Sequence, residues 1–309
     1  MSKITLYKLE ANNKAEIIIE KPFKLEREMQ KVFEDNLGVI MGLEMVKSEF
    51  TIKDKRIDTL AFDRQSNSFV IIEYKRDKNN SVFDQGITYL NLMLNYKADF
   101  VLEYNENMKN NLSRNKIDWS QSRVVFVSSD FTENQIQATN FKDFAIELWE
   151  VKRYSNNTIS INNIGKSKSA PSIKPILEKN NTYQEISKEI KVYSEEDHLQ
   201  GKSDEIIELY EKFKNAILNL REGIEIVYRK LYIGFKFNNG NISDIEIQAK
   251  QLKLYVNVNK GQLDDPKGLM RDISSVGHWG NGDYQVIVKN DDDLEYIMSL
   301  IKQAIKYQN

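Results

Sequence analysis

RIDTLAFDRQSNSFVIIEYKR, Arg56 to Arg76, holds two apolar runs joined by the polar turn RQSNS. Each run has the β-branched and aromatic content of a strand, so the stretch reads as a hairpin. Ile57, Thr59 and Ala61 share one face with Val70, Ile72 and Tyr74, and the opposite face is mostly apolar too. A sheet of that kind is expected to be covered on both sides. Asp58, Glu73 and Lys75 therefore need a reason to be there. With the turn centred between Gln65 and Ser66, facing residues have numbers that sum to 131, which sets Asp58 opposite Glu73. Cross-strand neighbours of this type lie ~5 Å apart at Cβ. Lys75, two residues after Glu73, shares their face.

A divalent cation supplies the reason. Carboxylate oxygens from Asp58 and Glu73, with the Tyr74 carbonyl and waters, suit Mg²⁺. Lys75 can hold or polarise an attacking water and offset charge on a phosphoryl oxygen. These are the parts of metal-assisted phosphodiester hydrolysis: a Lewis acid, an oriented nucleophile and compensation of developing charge. Downstream, VFDQGITYLNLMLNYKA reads as a helix capped by Asn80 or Ser81. Gln85 and Tyr89 lie one turn apart on it, the amide able to orient water or Lys75 and the phenol able to meet a phosphate. Upstream, KLEREMQKVFEDNLGVI places Leu25, Met29, Val32, Phe33 and Leu37 at helical spacing, with Gly38 as the stop. Glu26, in its first turn, can reach the metal through water or bind a second ion. Glu28 and Glu34 are rivals for that role.

Asp58, then Glu73-Tyr74-Lys75, then Gln85 with Tyr89, resembles the core of the PD-(D/E)XK nucleases, in the branch related to RecB-type nucleases and NucS endonucleases. The resemblance runs from about Lys24 to Tyr104. It places the family's helix glutamate on Glu26, its metal aspartate on Asp58, and its metal glutamate and catalytic lysine on Glu73 and Lys75. Its helix glutamine and tyrosine fall on Gln85 and Tyr89, and Ile57 stands where proline is usual. The resemblance implies a restriction-endonuclease-like α/β fold. It also implies Mg²⁺- or Mn²⁺-dependent endonucleolytic hydrolysis of DNA through a metal-activated water, leaving a 5′-phosphate. The alternative is a non-catalytic nucleic-acid-binding or regulatory protein on the same fold. DNA is the expected partner, a homodimer follows if both strands of a duplex are cut, and a link to restriction or phage defence is the expected context.

Beyond the hairpin, ITLYKLE and AEIIIE read as a terminal strand pair, and Glu44–Ile52, DFVLEY, RVVFVSSD and AIELWEV as further strands. A short helix at Glu133–Asn140 separates the last two. The result is a mixed sheet flanked by helices. GKSKSAPSIKPILEKNN is rich in Ser, Lys and Pro, so the expected division is residues 1–163, a linker at 164–181 and a smaller α+β domain at 182–309. The second domain is expected to hold helices at 204–220 and 291–307. Between them come strands in IEIVYRKLYIGFKF, SDIEIQ, KLYVNV and YQVIV, with a hairpin turn at NNG 238–240. Residues 253–284 are similar to a small C-terminal module that brings no assigned chemistry.

Composition narrows the classes. Of 309 residues 40% are hydrophobic and 29% charged, enough for a real core. The absence of cysteine removes disulfides, thiolate chemistry and sulfur-bound zinc, and two histidines are a poor basis for a zinc enzyme. Neither a G-x-S-x-G elbow nor a G-x-x-x-x-G-K-[ST] phosphate loop is present. Net charge is −2, yet Lys53, Lys55, Arg56, Arg76 and Lys78 flank the hairpin and can contact phosphates. Asp63 and Asp77 are expected to be solvated and His198 exposed. His278 and Trp279, near Asp264, Asp265 and Asp283, read as a Gly-rich loop over the sheet whose acids form turns. No segment approaches the ~18 apolar residues of a membrane span and MSKITLYKLE lacks a signal-peptide core, so a cytoplasmic location is expected.

Overall fold

The computed structural model describes residues 5–308 apart from 12, 77–80, 168, 178–179 and 277–280. Asp77, Lys78, His278 and Trp279 lie outside the described residues. The chain divides into two units, Met1–Lys191 and Val192–Asn309. That division falls after the 164–181 stretch read as a linker. Ile173 and Tyr183 are buried, and Asp143 accepts the Ser172 hydroxyl and the Ile173 N–H, so this segment is packed into the first unit.

In the first unit the antiparallel pair β1 (Leu6–Leu9) and β2 (Ala15–Ile18) precedes helices α1 (Glu26–Asp35) and α2 (Leu37–Met41). β3 (Glu44–Ile52), β4 (Lys55–Asp63), β5 (Ser68–Lys75), α3 (Val82–Asn95) and α4 (Lys97–Met108) follow. Then come β6 (Arg123–Ser128), α5 (Glu133–Thr139), β7 (Ile146–Arg153), β8 (Ile159–Ile164), α6 (Lys174–Leu177) and α7 (Asn181–Glu189). β3 to β8 form one six-stranded sheet in chain order, parallel at β5–β6 and β6–β7 and antiparallel elsewhere.

The hairpin has the register its turn dictates: Thr59 faces Ile72, Leu60 faces Ile71 and Ala61 faces Val70. Asp63 closes the turn, its Oδ1 accepting the N–H groups of Gln65 and Ser66 at 3.0 and 3.3 Å. This corrects the expectation of a solvated Asp63. It is 2% exposed, because β6 lies alongside β5 and brings Arg123 Nη1 to 3.0 Å from Asp63 Oδ2. Both faces of the sheet are covered. Met29, Phe33 and Leu37 pack with Ala61, Val70, Ile72 and Tyr74 on one side. A cluster of Phe62, Phe69, Phe100, Tyr104 and Trp119 rings fills the other.

Three local readings are corrected. DFVLEY is helical, within α4, because Phe100 and Tyr104 are one turn apart and both enter the ring cluster while Leu102 stays exposed. Gly38 does not stop the first helix: the chain breaks at Asn36 and resumes as α2, which ends at left-handed Gly42. Leu25 is the residue before α1 and is 58% exposed, so it is not part of the apolar stripe.

The second unit holds α8 (Glu195–Leu199), α9 (Asp204–Leu218), β9 (Glu225–Tyr228), β10 (Ile233–Phe237), β11 (Gly240–Ile247) and β12 (Leu252–Val256). β13 (Arg271–Asp272), β14 (Tyr284–Val288) and α10 (Leu294–Lys306) complete it. The antiparallel sheet runs β13-β14-β12-β11-β10-β9, and one core joins it to α9 and α10. Asn238 and Asn239 both have positive φ, as a two-residue turn between β10 and β11 demands. Asp244 is fully buried, accepting from the side-chain amides of Asn241, Asn257 and Asn281. Burial pushes its pKa up to about 6. Asp265 and Asp283 cap backbone turns, and His198 is half-buried beside the Tyr228 ring rather than exposed. Among the described residues no helix is long and apolar enough to cross a membrane.

Candidate active site

The open end of the hairpin brings the acids together. Asp58 Oδ2 accepts the Tyr74 N–H at 3.0 Å, so its carboxylate lies between the strands, next to Glu73. Lys75 Nζ donates to Glu73 Oε1 at 3.3 Å. The Lys75 and Glu73 side chains are only 12% and 7% exposed. The second Glu73 oxygen, Oε2, is buried and has no hydrogen-bond donor.

The three acids of α1 have different partners. Glu26 Oε1 accepts the Arg76 N–H at 2.7 Å, which ties the first turn of the helix to the chain just past Lys75. The Glu26 charge also reaches Asp58. Glu28 is instead paired with Arg153 at 3.1 Å. Glu34 points into β3 and β4, where Ser48 Oγ, Thr59 Oγ1 and Gln30 Nε2 donate to it.

α3 supplies the remaining pair. Ser81 caps it by accepting the Asp84 N–H. Gly86 lets it lie against β7, where a Cβ would meet Ile146 Cδ1 at 2.0 Å. Gln85 Nε2 donates to the Tyr89 hydroxyl at 3.1 Å, and Tyr89 donates to the Arg56 carbonyl at 3.2 Å. Tyr89 is thus pinned to the backbone two residues before Asp58. Of the basic residues, Lys53 lies over the Tyr96 ring, Lys55 pairs with Asp54, and the Arg56 and Arg76 residues are exposed.

The field at the site is that of two acids taken out of water together. Burial pushes the Asp58 pKa up, with Glu26 adding to the effect while the Tyr74 N–H and Lys75 oppose it. Glu73 is pushed up to about 7 by burial first and by the Asp58 charge second, against Lys75. Burial raises the Tyr89 phenol as well. One lysine does not balance two desolvated carboxylates.

The donor set fits a hard divalent cation at Asp58 and Glu73: both acids are under-compensated and Glu73 Oε2 lacks a donor. Among the described residues no group of three or more His, Cys, Asp or Glu side chains is placed to hold a metal ion.

An uncharacterized protein from Haemophilus influenzae is 58% identical to this chain over 287 residues, covering 93% of this chain and 95% of that protein. This chain belongs to that protein's family. Residues 195–308 match a family described as a domain of unknown function, DUF5655. Among solved structures, a repair endonuclease from Pyrococcus abyssi overlaps 38% of this chain and 43% of its own, at 22% identity and a TM-score of 0.21. An EndoMS–dsDNA complex overlaps 42% and 58%, at 15% identity and 0.21. Pyrococcus furiosus SfsA in complex with Ca²⁺ overlaps 53% and 77%, at 14% and 0.25. The chain thus spans about half the length of the first two structures. The likeness is weak, and the functional reading rests on this chain's own side chains.

Two residues escaped the sequence reading, one beside the site and one at the turn of the hairpin. Gln30 is a polar residue on the buried face of α1, one turn from both Glu26 and Glu34, and that 26/30/34 stripe is the signal that marks it. Arg123, held between Asp63 and Glu147 at 3.0 and 2.9 Å, carries no local signal, since only the parallel β5–β6 pairing brings it to the turn.

Proposed function

We propose that the first unit hydrolyses phosphodiester bonds in DNA with Mg²⁺ or Mn²⁺, leaving a 5′-phosphate. The observation that carries the reading is the pairing of two desolvated carboxylates, Asp58 and Glu73, beside Lys75, with one Glu73 oxygen buried and unpartnered. Asp58 and Glu73 would hold the ion, with the Tyr74 carbonyl and, through water, Glu26. A divalent ion held there supplies Lewis-acid stabilisation of charge on a phosphoryl oxygen. Lys75, fixed by Glu73, orients the attacking water and offsets charge that grows on the phosphate as the water oxygen bonds to phosphorus and the P–O3′ bond breaks. Tyr89, anchored on the Arg56 carbonyl and by Gln85, lines the approach to Glu73. The exposed Arg56 and Arg76 give the flanking backbone of the substrate a place to bind, which makes affinity salt-dependent without reading sequence.

The test is incubation of the full chain with single-stranded, duplex and branched DNA, and with RNA, in Mg²⁺ or Mn²⁺. Cleavage with 5′-phosphate ends that disappears in Asp58→Ala and Lys75→Ala, both folded by circular dichroism, supports the reading. Binding without turnover favours the non-catalytic alternative. Cleavage of RNA alone corrects the substrate.

A further inference from the structure

Asp58 is the residue of β4 that belongs to neither neighbouring ladder. Ile57 and Thr59 pair with Phe50 and Ser48 of β3, but Glu49, which lies between those two partners, sits at φ 51°. That left-handed conformation is strained for a residue with a side chain. On the other side, the Tyr74 N–H goes to the Asp58 carboxylate at 3.0 Å instead of to a ladder carbonyl. The Asp58 side chain thus occupies a place in the sheet that backbone normally fills. Its own carbonyl then needs a donor from outside the sheet.

Gln30 is that donor. Its Nε2 reaches the Asp58 carbonyl at 3.0 Å, from a side chain that is 9% exposed. The amide is itself held by Glu34 Oε1 at 3.0 Å and Ser48 Oγ at 3.3 Å. Glu34 in turn binds Thr59 Oγ1 at 2.5 Å. Ser48 and Thr59, the facing pair on one side of the opening, are thereby fastened to one helix that also carries Glu26.

We propose that Gln30 is a positioning residue: its amide holds the Asp58 backbone in the open, non-ladder conformation that turns the carboxylate towards Glu73 and Lys75. The inference rests on reading Asp58 and Glu73 as the metal-holding pair. Helix contacts alone do not require it, since Met29 and Phe33 already fasten α1 to the sheet.

The decisive readout is the Tyr74 amide, whose N–H reports directly on where the Asp58 carboxylate sits. Gln30→Met keeps the length of the side chain and removes the amide. Hydrogen exchange at Tyr74 should rise at least about tenfold while Ile71 and Ile72 on the same strand keep their protection. Calorimetric Mn²⁺ affinity should fall by about 10- to 100-fold, the usual cost of losing a residue that orients a metal ligand. Gln30→Asn keeps an amide beside Glu34 but is one methylene too short to reach Asp58, so it must behave in the same way. It also serves if the methionine variant does not fold. An unchanged Tyr74 exchange rate, an unchanged Mn²⁺ affinity, or a uniform rise along β5 overturns the assignment. Asp58→Ala separates the two levels. Mn²⁺ binding that survives in Asp58→Ala sinks the metal reading itself, whereas binding lost there but kept in Gln30→Met sinks only the role of Gln30.

Discussion

Replacing Glu73 with glutamine should change how the stability of the first unit depends on pH. In the folded chain the Glu73 carboxyl is pushed up to about 7 from an ordinary value of 4.5, first by burial and then by Asp58. A folded state that binds a proton more tightly than the unfolded chain is favoured at low pH. The benefit is complete below about pH 4.5 and is lost as pH rises through about 7, where the unit must carry the ionised acid. Each pKa unit corresponds to about 1.4 kcal/mol, so the ionised carboxylate costs on the order of 3 kcal/mol by pH 8. Glu73→Gln removes that titration. The like charge on Asp58 and the attraction of Lys75 act on Glu73 only when it is ionised, so both are already part of that titration. The slope is therefore the informative quantity. Urea unfolding of both proteins between pH 5 and 8, followed by the fluorescence of Trp119 and Trp149 in a Trp279→Phe background, reads the first unit alone. Glutamine should gain on the native protein by about 2–3 kcal/mol across that interval. Saturating Mn²⁺ should close the gap at the upper end, since the ion requires the ionised form. Stability curves that run parallel with pH would refute the claim that Glu73 is desolvated against Asp58.

Other consequences are as direct. Arg123→Leu leaves Asp63 and Glu147 without their shared cation, and should cost about 3–5 kcal/mol in chemical denaturation of the first unit. Asp244→Ala leaves the donors of Asn241, Asn257 and Asn281 facing each other without an acceptor, and should lower the melting transition of the second unit by on the order of 3 kcal/mol. A chain truncated after Lys191 should unfold cooperatively. One truncated after Asn180 loses α7, which packs on α3 and buries Tyr183 against Phe144, and should expose apolar surface to a hydrophobic dye. If the shorter chain is as stable as the longer, the residue-191 boundary has no energetic meaning.

The hairpin was legible because its physics is local. A polar turn with Asp63 at its edge fixes the register, and the register fixes which residues face each other. Glu26 could be named but not chosen over Glu28 and Glu34 by periodicity. What periodicity does not give is each acid's partner: Arg153 for Glu28, Ser48 and Thr59 for Glu34, and the Arg76 N–H for Glu26. DFVLEY was misread because its aromatic and β-branched content favours a strand by composition. The one-turn spacing of Phe100 and Tyr104 is what the ring cluster selects. The burial of Asp63 was hidden for a different reason. It depends on Arg123, some sixty residues on, and so on a parallel pairing that no local pattern announces. The opening of both ladders at Asp58 was likewise invisible, since it depends on a strained Glu49 and on a helix amide arriving from outside the sheet.

The central claim is that Asp58, Glu73 and Lys75 form a hydrolytic centre and not a buried salt bridge. The most direct measurement is cleavage of end-labelled DNA in Mn²⁺ by the native chain and by Lys75→Ala, with Mn²⁺ binding followed on the same samples. The account predicts that both proteins bind the ion and only the native chain cuts. Equal cleavage by Lys75→Ala, or no cleavage of any substrate by a native chain that has bound Mn²⁺, would contradict it.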